Sequence, residues 1–268
     1  MTWFSSKYGR NSGSPFSRGI LAIVSSLAVL CFFCFPATPA SAVTAREILD
    51  RMDDLYRGES SHGEMTMVVV TAHWKRTLSL EFWSKGKEKS LIKILAPIKE
   101  KDTATLRSGN EIWNYLPKVK RVIKLPSSMM SASWMGSHFT NDDLVKESRF
   151  VEDYDFEVTF EGRRAGKDIV EVTCIPKPDA PVVWGKVVVV VRLQDYLPLE
   201  SAYFDEELHL ARTMTFSDVR TFSGRTLPAR MVVVPADKPG ERTEVTYREI
   251  AFDLDLSDEI FSIRNLQK

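Results

Sequence analysis

Apolar residues change their period once along this chain. From residue 44 the spacing is helical. Ile48, Leu49, Met52, Leu55 and Tyr56 fall on one face of a 3.6-residue repeat. Thr44 and Glu47 stand at capping-box spacing just before them, where the hydroxyl satisfies a first-turn N–H and the carboxylate bonds back. Gly58 is a natural stop. The period then drops to two. Leu78, Leu80 and Phe82 alternate with Thr77, Ser79 and Glu81; Tyr154, Phe156, Val158 and Phe160 alternate with Asp155, Glu157 and Thr159; Leu208, Leu210, Met214 and Phe216 alternate with His209, Ala211, Thr213 and Thr215. Each reads as a half-buried strand. Further strand-like runs are 64–72, 88–96, 103–108, 111–116, 119–125, 167–176, 183–193, 197–204, 227–235 and 242–252. Turn signals such as Gly109-Asn110, Pro117-Lys118, Ser223-Gly224 and Lys238-Pro239-Gly240 divide them. Val187–Val191, apolar on both faces, predicts a strand at the sheet centre.

Strands come about once per dozen residues without βαβ spacing, so the sheet is expected to be antiparallel and strongly curved. One helix cannot cover so much sheet, which must wrap on itself as a barrel or half-barrel. The tail Ser257–Phe261 reads as a capped single turn. One stretch breaks the rhythm. Residues 126–147 hold Met129, Met130, Trp134, Met135 and Phe139 among Ser, Gly and Asn. Methionine suits irregular or changing apolar contacts. The stretch is too broken for a long helix, although Asn141 can cap a short one through Lys146.

Residues 1–42 read as a targeting segment and not as fold. Lys7, Arg10 and Arg18 precede an apolar run from Gly19 to Phe35, and Ala40-Ser41-Ala42 makes a small-x-small cleavage site. That order is the one of a secretory signal peptide; an uncleaved anchor in the inner membrane is the alternative. The 268 residues carry 36 basic and 36 acidic side chains. Removing the leader leaves 226 residues, 33 basic, 36 acidic and one cysteine, Cys174. Such a domain, 43–268, is held by its core without internal disulfides, and Cys174 reads as a buried thiol. Balanced charge argues against a nucleic-acid partner.

Catalytic signatures are missing: the chain has no GxSxG, P-loop, GxGxxG, HExxH, EF-hand or paired CxxC. His62, His73, His138 and His209 lack ligand spacing. No enzyme, metal or cofactor is therefore expected. Lys118, Lys120, Arg121 and Lys124 read as a solvated edge strand, or as a site for anionic headgroups or an acidic partner.

Two motifs carry a resemblance. Gly109-x-x-Ile112-Trp113-x-Tyr115-Leu116-Pro117 and Trp134-Met135-Gly136-Ser137-x-Phe139-Thr140-Asn141-Asp142-Asp143-Leu144, with the leader and the capped helix, resemble the outer-membrane lipoprotein-sorting (LolA-like) family, in its longer uncharacterised branch. The resemblance covers about residues 45–268. It implies an incomplete antiparallel β-barrel with helices over its open side and an apolar cavity for acyl chains. It also implies an arginine that latches the lid, and no arginine is assigned to that role from the sequence.

The function expected is a periplasmic, monomeric carrier of lipid acyl chains or lipoproteins toward the outer membrane, working between an inner-membrane exporter and an outer-membrane acceptor. The alternative is a non-enzymatic accessory or sensor module docked on an exporter complex; a hydrolase with an unrecognised site is a third class. In the carrier reading Met129, Met130, Trp134, Met135 and Phe139 form a flap, and Leu78, Leu80, Phe82, Trp113 and Tyr115 line the concave wall, with plain core packing as the competing reading for both sets. The carrier predicts a continuous apolar cavity without buried charge. The accessory module predicts a filled barrel with an exposed apolar or basic patch.

Overall fold

The computed structural model describes residues 43–146 and 150–267; the targeting segment falls outside the described residues. Helix α1 (Ala45–Arg57) starts at the expected capping box. Thr44 Oγ1 accepts from the Glu47 N–H at 3.2 Å, and Glu47 Oε2 accepts from the Thr44 N–H at 2.8 Å. The helix ends at Gly58, where φ is 57° and a Cβ would lie 2.7 Å from Asp253 Oδ1. Both the left-handed stop and the close approach favour glycine.

Thirteen strands follow: β1 (Ser60–Val70), β2 (Lys75–Lys85), β3 (Lys89–Ala96), β4 (Ala104–Ser108), β5 (Glu111–Leu116), β6 (Arg121–Lys124), β7 (Tyr154–Arg164), β8 (Lys167–Pro176), β9 (Lys186–Arg192), β10 (Pro198–Phe204), β11 (Leu210–Phe222), β12 (Arg225–Pro235) and β13 (Arg242–Phe252). They form one antiparallel sheet in the order β6-β5-β4-β3-β2-β1-β13-β12-β11-β10-β9-β8-β7. The chain therefore walks from β1 out to one edge, crosses to the far edge, and walks back until β13 pairs with β1. β6 and β7 do not pair, so the half-barrel stays open. Register shifts in β1, β2, β7 and β10 bend the strands. At the first of these, Gly63 lets β13 approach: a Cβ would fall 2.1 Å from the Glu249 carbonyl oxygen.

Three details differ from expectation. The valine-rich β9 is third from the β7 edge, not central. Val187, Val189 and Val191 point into the core, while Val188 and Val190 are only half-buried. Leu208 is not in a strand; it sits in the β10–β11 turn with φ 63°. The short helix α2 (Asp143–Lys146) is capped by Thr140, whose Oγ1 accepts from the Asp143 N–H while the Asp143 carboxylate accepts from the Thr140 N–H. Asn141 instead donates to the Met129 carbonyl at 2.9 Å.

Both faces of the sheet are covered. The concave face buries Met65, Met67, Val69, Leu78, Leu80, Ile94 and the inward residues of β8 to β13 beneath α1 and the described parts of the β6–β7 connection. On the convex face Leu91, Ala104 and Leu106 pack under Phe261 and Leu266. Those two come from short 3-10 turns, Asp258–Phe261 and Asn265–Gln267. Ser257 caps the first turn, as the tail pattern predicts.

Candidate functional site

The segment joining β6 to β7 must cross the open face, because these strands are opposite edges of the sheet. Among the described residues it contains two 3-10 turns (Ser127–Met129 and Trp134–Gly136), α2 and a second short helix α3 (Phe150–Asp153). Its backbone is stitched to itself. Trp134 N–H donates to the Phe139 carbonyl at 2.8 Å, Asn141 N–H to Ala132 at 3.0 Å, and Asp142 N–H to Met130 at 2.9 Å. Ser137 adds side-chain bonds within this flap: its Oγ donates to the Trp134 carbonyl at 2.7 Å and accepts from the Phe139 N–H at 3.2 Å.

Its fastenings follow the strand order across the sheet. Trp134, 4% exposed, donates its indole N–H to Thr105 Oγ1 on β4 at 3.1 Å, and Thr105 passes a bond to Asn114 on β5. Arg76 on β2 donates to the Met135 carbonyl and pairs with Glu100 at 3.2 Å. His138 donates its backbone N–H to Thr243 Oγ1 on β13 at 3.0 Å, and its ring meets Thr243 and Glu241. Arg212 on β11 grips both Asp143 oxygens at 2.7 and 2.6 Å and the His138 carbonyl at 2.9 Å. Arg212 is 3% exposed and lies 4.5 Å and 4.2 Å from the ring centroids of Trp184 and Tyr203. Burial opposes its charge, but Asp143 outweighs that and holds its pKa above the usual value. This bidentate, buried pair ties the segment to β11.

Beneath the flap lies a cavity of about 120 Å³, lined by Trp134, Phe139, Trp184 and Met231 among others. Beside it, under α1, is a second of about 150 Å³, whose walls include Met52, Tyr56, Phe82 and Phe216. The two share Met65, Ile92, Leu144, Tyr203, Met214 and Tyr247. The linings are mainly apolar but not free of charge: Asp142 and Asp143 border the first, Asp53 and Arg57 the second. The expected cavity without buried charge is therefore corrected, since the cover itself is held by ion pairs placed at the cavity margin.

Of the ten sequence-predicted residues, Trp134, Phe139 and Phe82 line these cavities. Leu78 and Leu80 lie on the same concave face, fully buried in its core. Met135 packs on that core but also borders an outer groove, with φ 53° at the turn. Met130 is half-buried and Met129 is 44% exposed, so neither enters the cavity. Trp113 and Tyr115 are on the wrong face for a concave wall. They pair with Leu106 and Ala104 and pack against the convex cluster, while Ile112 and Asn114 point inward. The missed residues are Arg76 and Arg212. Arg212 occupies the one polar position in the alternation Leu208, Leu210, Met214, Phe216, and a charge on an apolar face is the signal that marks it.

Other chemistry is sparse. Cys174 is fully buried, and burial pushes its thiol up to about 12, as expected of an inert core cysteine. Among the described residues no three His, Cys, Asp or Glu side chains gather as metal ligands, and no helix is long and apolar enough to cross a membrane.

The open antiparallel half-barrel is similar in fold to solved structures of the LolA superfamily. A LolA superfamily protein from Nitrosomonas europaea superposes with a TM-score of 0.72 at 22% identity, over 84% of this chain and 100% of that one. An outer membrane lipoprotein-sorting protein domain from Vibrio parahaemolyticus gives 0.72 at 23%, over 82% and 97%. A DUF1329 family protein from Desulfovibrio piger gives 0.73 at 26%, over 82% and 96%. No curated protein matches the chain. A family model described only as uncharacterised protein matches residues 86–268, and the chain belongs to that family, DUF1329.

Proposed function

We propose that the protein is a periplasmic carrier that takes up acyl chains of a lipid or lipoprotein between its half-barrel and its flap and passes them toward the outer membrane. One observation carries this reading: an irregular strap crosses the whole concave face on polar fastenings, with two adjoining, largely apolar cavities beneath it. Each methylene buried there gains about 0.8 kcal/mol, so a sixteen-carbon chain gains about 12 kcal/mol, near nanomolar binding. Cargo held that tightly needs a gate to leave. Both cavities are smaller than the roughly 300–1,000 Å³ of typical ligand sites. Loading therefore requires the flap to lift, and releasing Arg212 from Asp143 is the step that lifts it. An accessory module with a filled barrel has these internal spaces against it.

Native mass spectrometry of the protein taken from the periplasm of its own host tests the reading. A stoichiometric lipid or acylated peptide is expected. It should be lost in Phe139→Asp and in Trp134→Asp, with a melting curve to confirm that each variant is folded. A clean apo mass, with no uptake when lipids are added back, sinks the carrier reading.

A further inference from the structure

Three connections meet at one end of the sheet: the β1–β2 hairpin (71–74), the β3–β4 loop (97–103) and the β5–β6 turn (117–120). The meander requires this, because each joins an odd strand of the outward walk to the next even one. Together they enclose an outer groove of about 470 Å³ bordered by Trp74, Arg76, Lys99, Leu116, Lys118 and Val119, with Met135 and Gly136 of the flap in its wall. Large apolar side chains stand out around it. Ile98 is 91% exposed, Val119 58% and Trp74 42%. Segments 71–76, 97–102 and 117–121 carry seven basic residues and two acidic ones, and one of the acids, Glu100, is paired with Arg76. Of the other arm's loops at this end, the β10–β11 turn is acidic, with Asp205, Glu206 and Glu207, while the β8–β9 loop is balanced, with Lys177 and Asp179. The other arm also exposes apolar side chains there, Leu208 at 54% and Leu210 at 44%, but beside acidic residues, so basic and apolar groups coincide on one side only.

From this we infer that this end docks on an anionic lipid bilayer, with Ile98, Val119 and Trp74 entering the headgroup boundary and Lys99, Lys101, Lys118 and Lys120 lying over the phosphates. Two features favour a bilayer over an acidic protein. Ile98 and Val119 are tips within their turns, and Ile98 is almost wholly free of its own fold. The charges are mainly lysines, which are depleted at protein interfaces but suit diffuse attraction to a charged surface. The inference goes beyond the carrier reading and does not need cargo. It also sets the flap, through Met135 and Gly136, next to the membrane.

The test uses a chain beginning at Val43, which contains all thirteen strands and every core cluster. Flotation with vesicles of phosphatidylglycerol and phosphatidylethanolamine is compared with pure phosphatidylcholine vesicles. Binding to the anionic vesicles only is expected, weakening as salt rises. Ile98→Asp should lower the partition coefficient at least tenfold. Lys118→Gln and Lys120→Gln should each lower it about fivefold. Lys167→Gln, at the opposite end of the sheet, should leave it unchanged. Equal loss from Lys167→Gln, or no anionic binding at low salt, overturns the inference. So does vesicle binding that survives Ile98→Asp with Val119→Asp. Binding to an acidic protein from the host envelope with none to vesicles overturns it in favour of a protein partner. Uptake of an acyl probe, measured on the same variants, should be unaffected, which separates failure here from failure of the carrier reading.

Discussion

The sheet has two covers, fastened by different physics. On the convex side the carboxy-terminal turns press Phe261 and Leu266 into Leu91, Ala104 and Leu106, with Trp113 and Tyr115 at the sides. Leu266 is wholly buried. On the concave side the flap also seats Trp134, Met135, Phe139 and Leu144 on the core, and adds directional bonds to Thr105, Arg76, Thr243 and Arg212. Apolar contact is non-directional and tolerates small displacements. A bidentate buried ion pair is either made or broken, and so divides closed from open sharply. The concave cover thus carries a buried ion pair, whereas the charged anchor of the convex turns, Asp258 with Lys85 and Lys89, is largely exposed.

The sharpest way to break that contrast is at Arg212. Arg212→Ala leaves Asp143 beside the cavity without its partner, and the loss of a buried partner costs about 3–5 kcal/mol. Urea unfolding should show this destabilisation, and hydrogen exchange should speed up in the flap first. Replacing both members, Arg212→Met with Asp143→Leu, removes the stranded charge and should recover most of the stability. If Arg212→Ala costs under about 1 kcal/mol, the pair does not fasten the flap.

The counterpart on the other face is Leu266→Ala. It removes a fully buried side chain and should cost about 2–5 kcal/mol by urea unfolding. Acyl-probe uptake by the folded fraction and flap exchange should stay as in the parent chain. A Leu266→Ala protein whose flap exchanges faster would mean that the two covers are coupled through the sheet, and the contrast would fall.

These faces were unequally legible. All thirteen strands announce themselves in runs of alternating or β-branched residues between turn signals, because strand patterning is local. The flap announced itself as the one stretch that breaks the rhythm. Which face of β5 turns inward was not local information. Trp113 and Tyr115 make an aromatic stripe fit for either side, and only the distant tail, by supplying Phe261 and Leu266, decides that it faces outward. Arg212 was hidden for the opposite reason. It is a charge within an apolar alternation, and its partner Asp143 lies 69 positions away, so the pair exists only once the flap has crossed the sheet.

The smallest effect separates the covers by pH. Glu241 accepts from the Ala72 N–H and then from the His138 ring, and these bonds hold its carboxyl below the usual 4.5. Asp258, bonded to Lys85 and Lys89, is likewise held below 3.8 and anchors the convex turns. A carboxylate lowered in the fold contributes stability that is present above its unfolded pKa and is lost as pH falls through the folded one. Acid therefore loosens both anchors. The convex turns keep their apolar seat, whereas the His138 corner of the flap is polar throughout. Below about pH 4.5 flap amides should exchange faster while the amides around Leu266 hold their protection until global unfolding. Glu241→Gln keeps an acceptor for Ala72 but cannot titrate, so it should flatten the acid dependence of flap exchange alone. A flap that stays as acid-sensitive in Glu241→Gln as in the parent chain would move the pH response to another carboxylate.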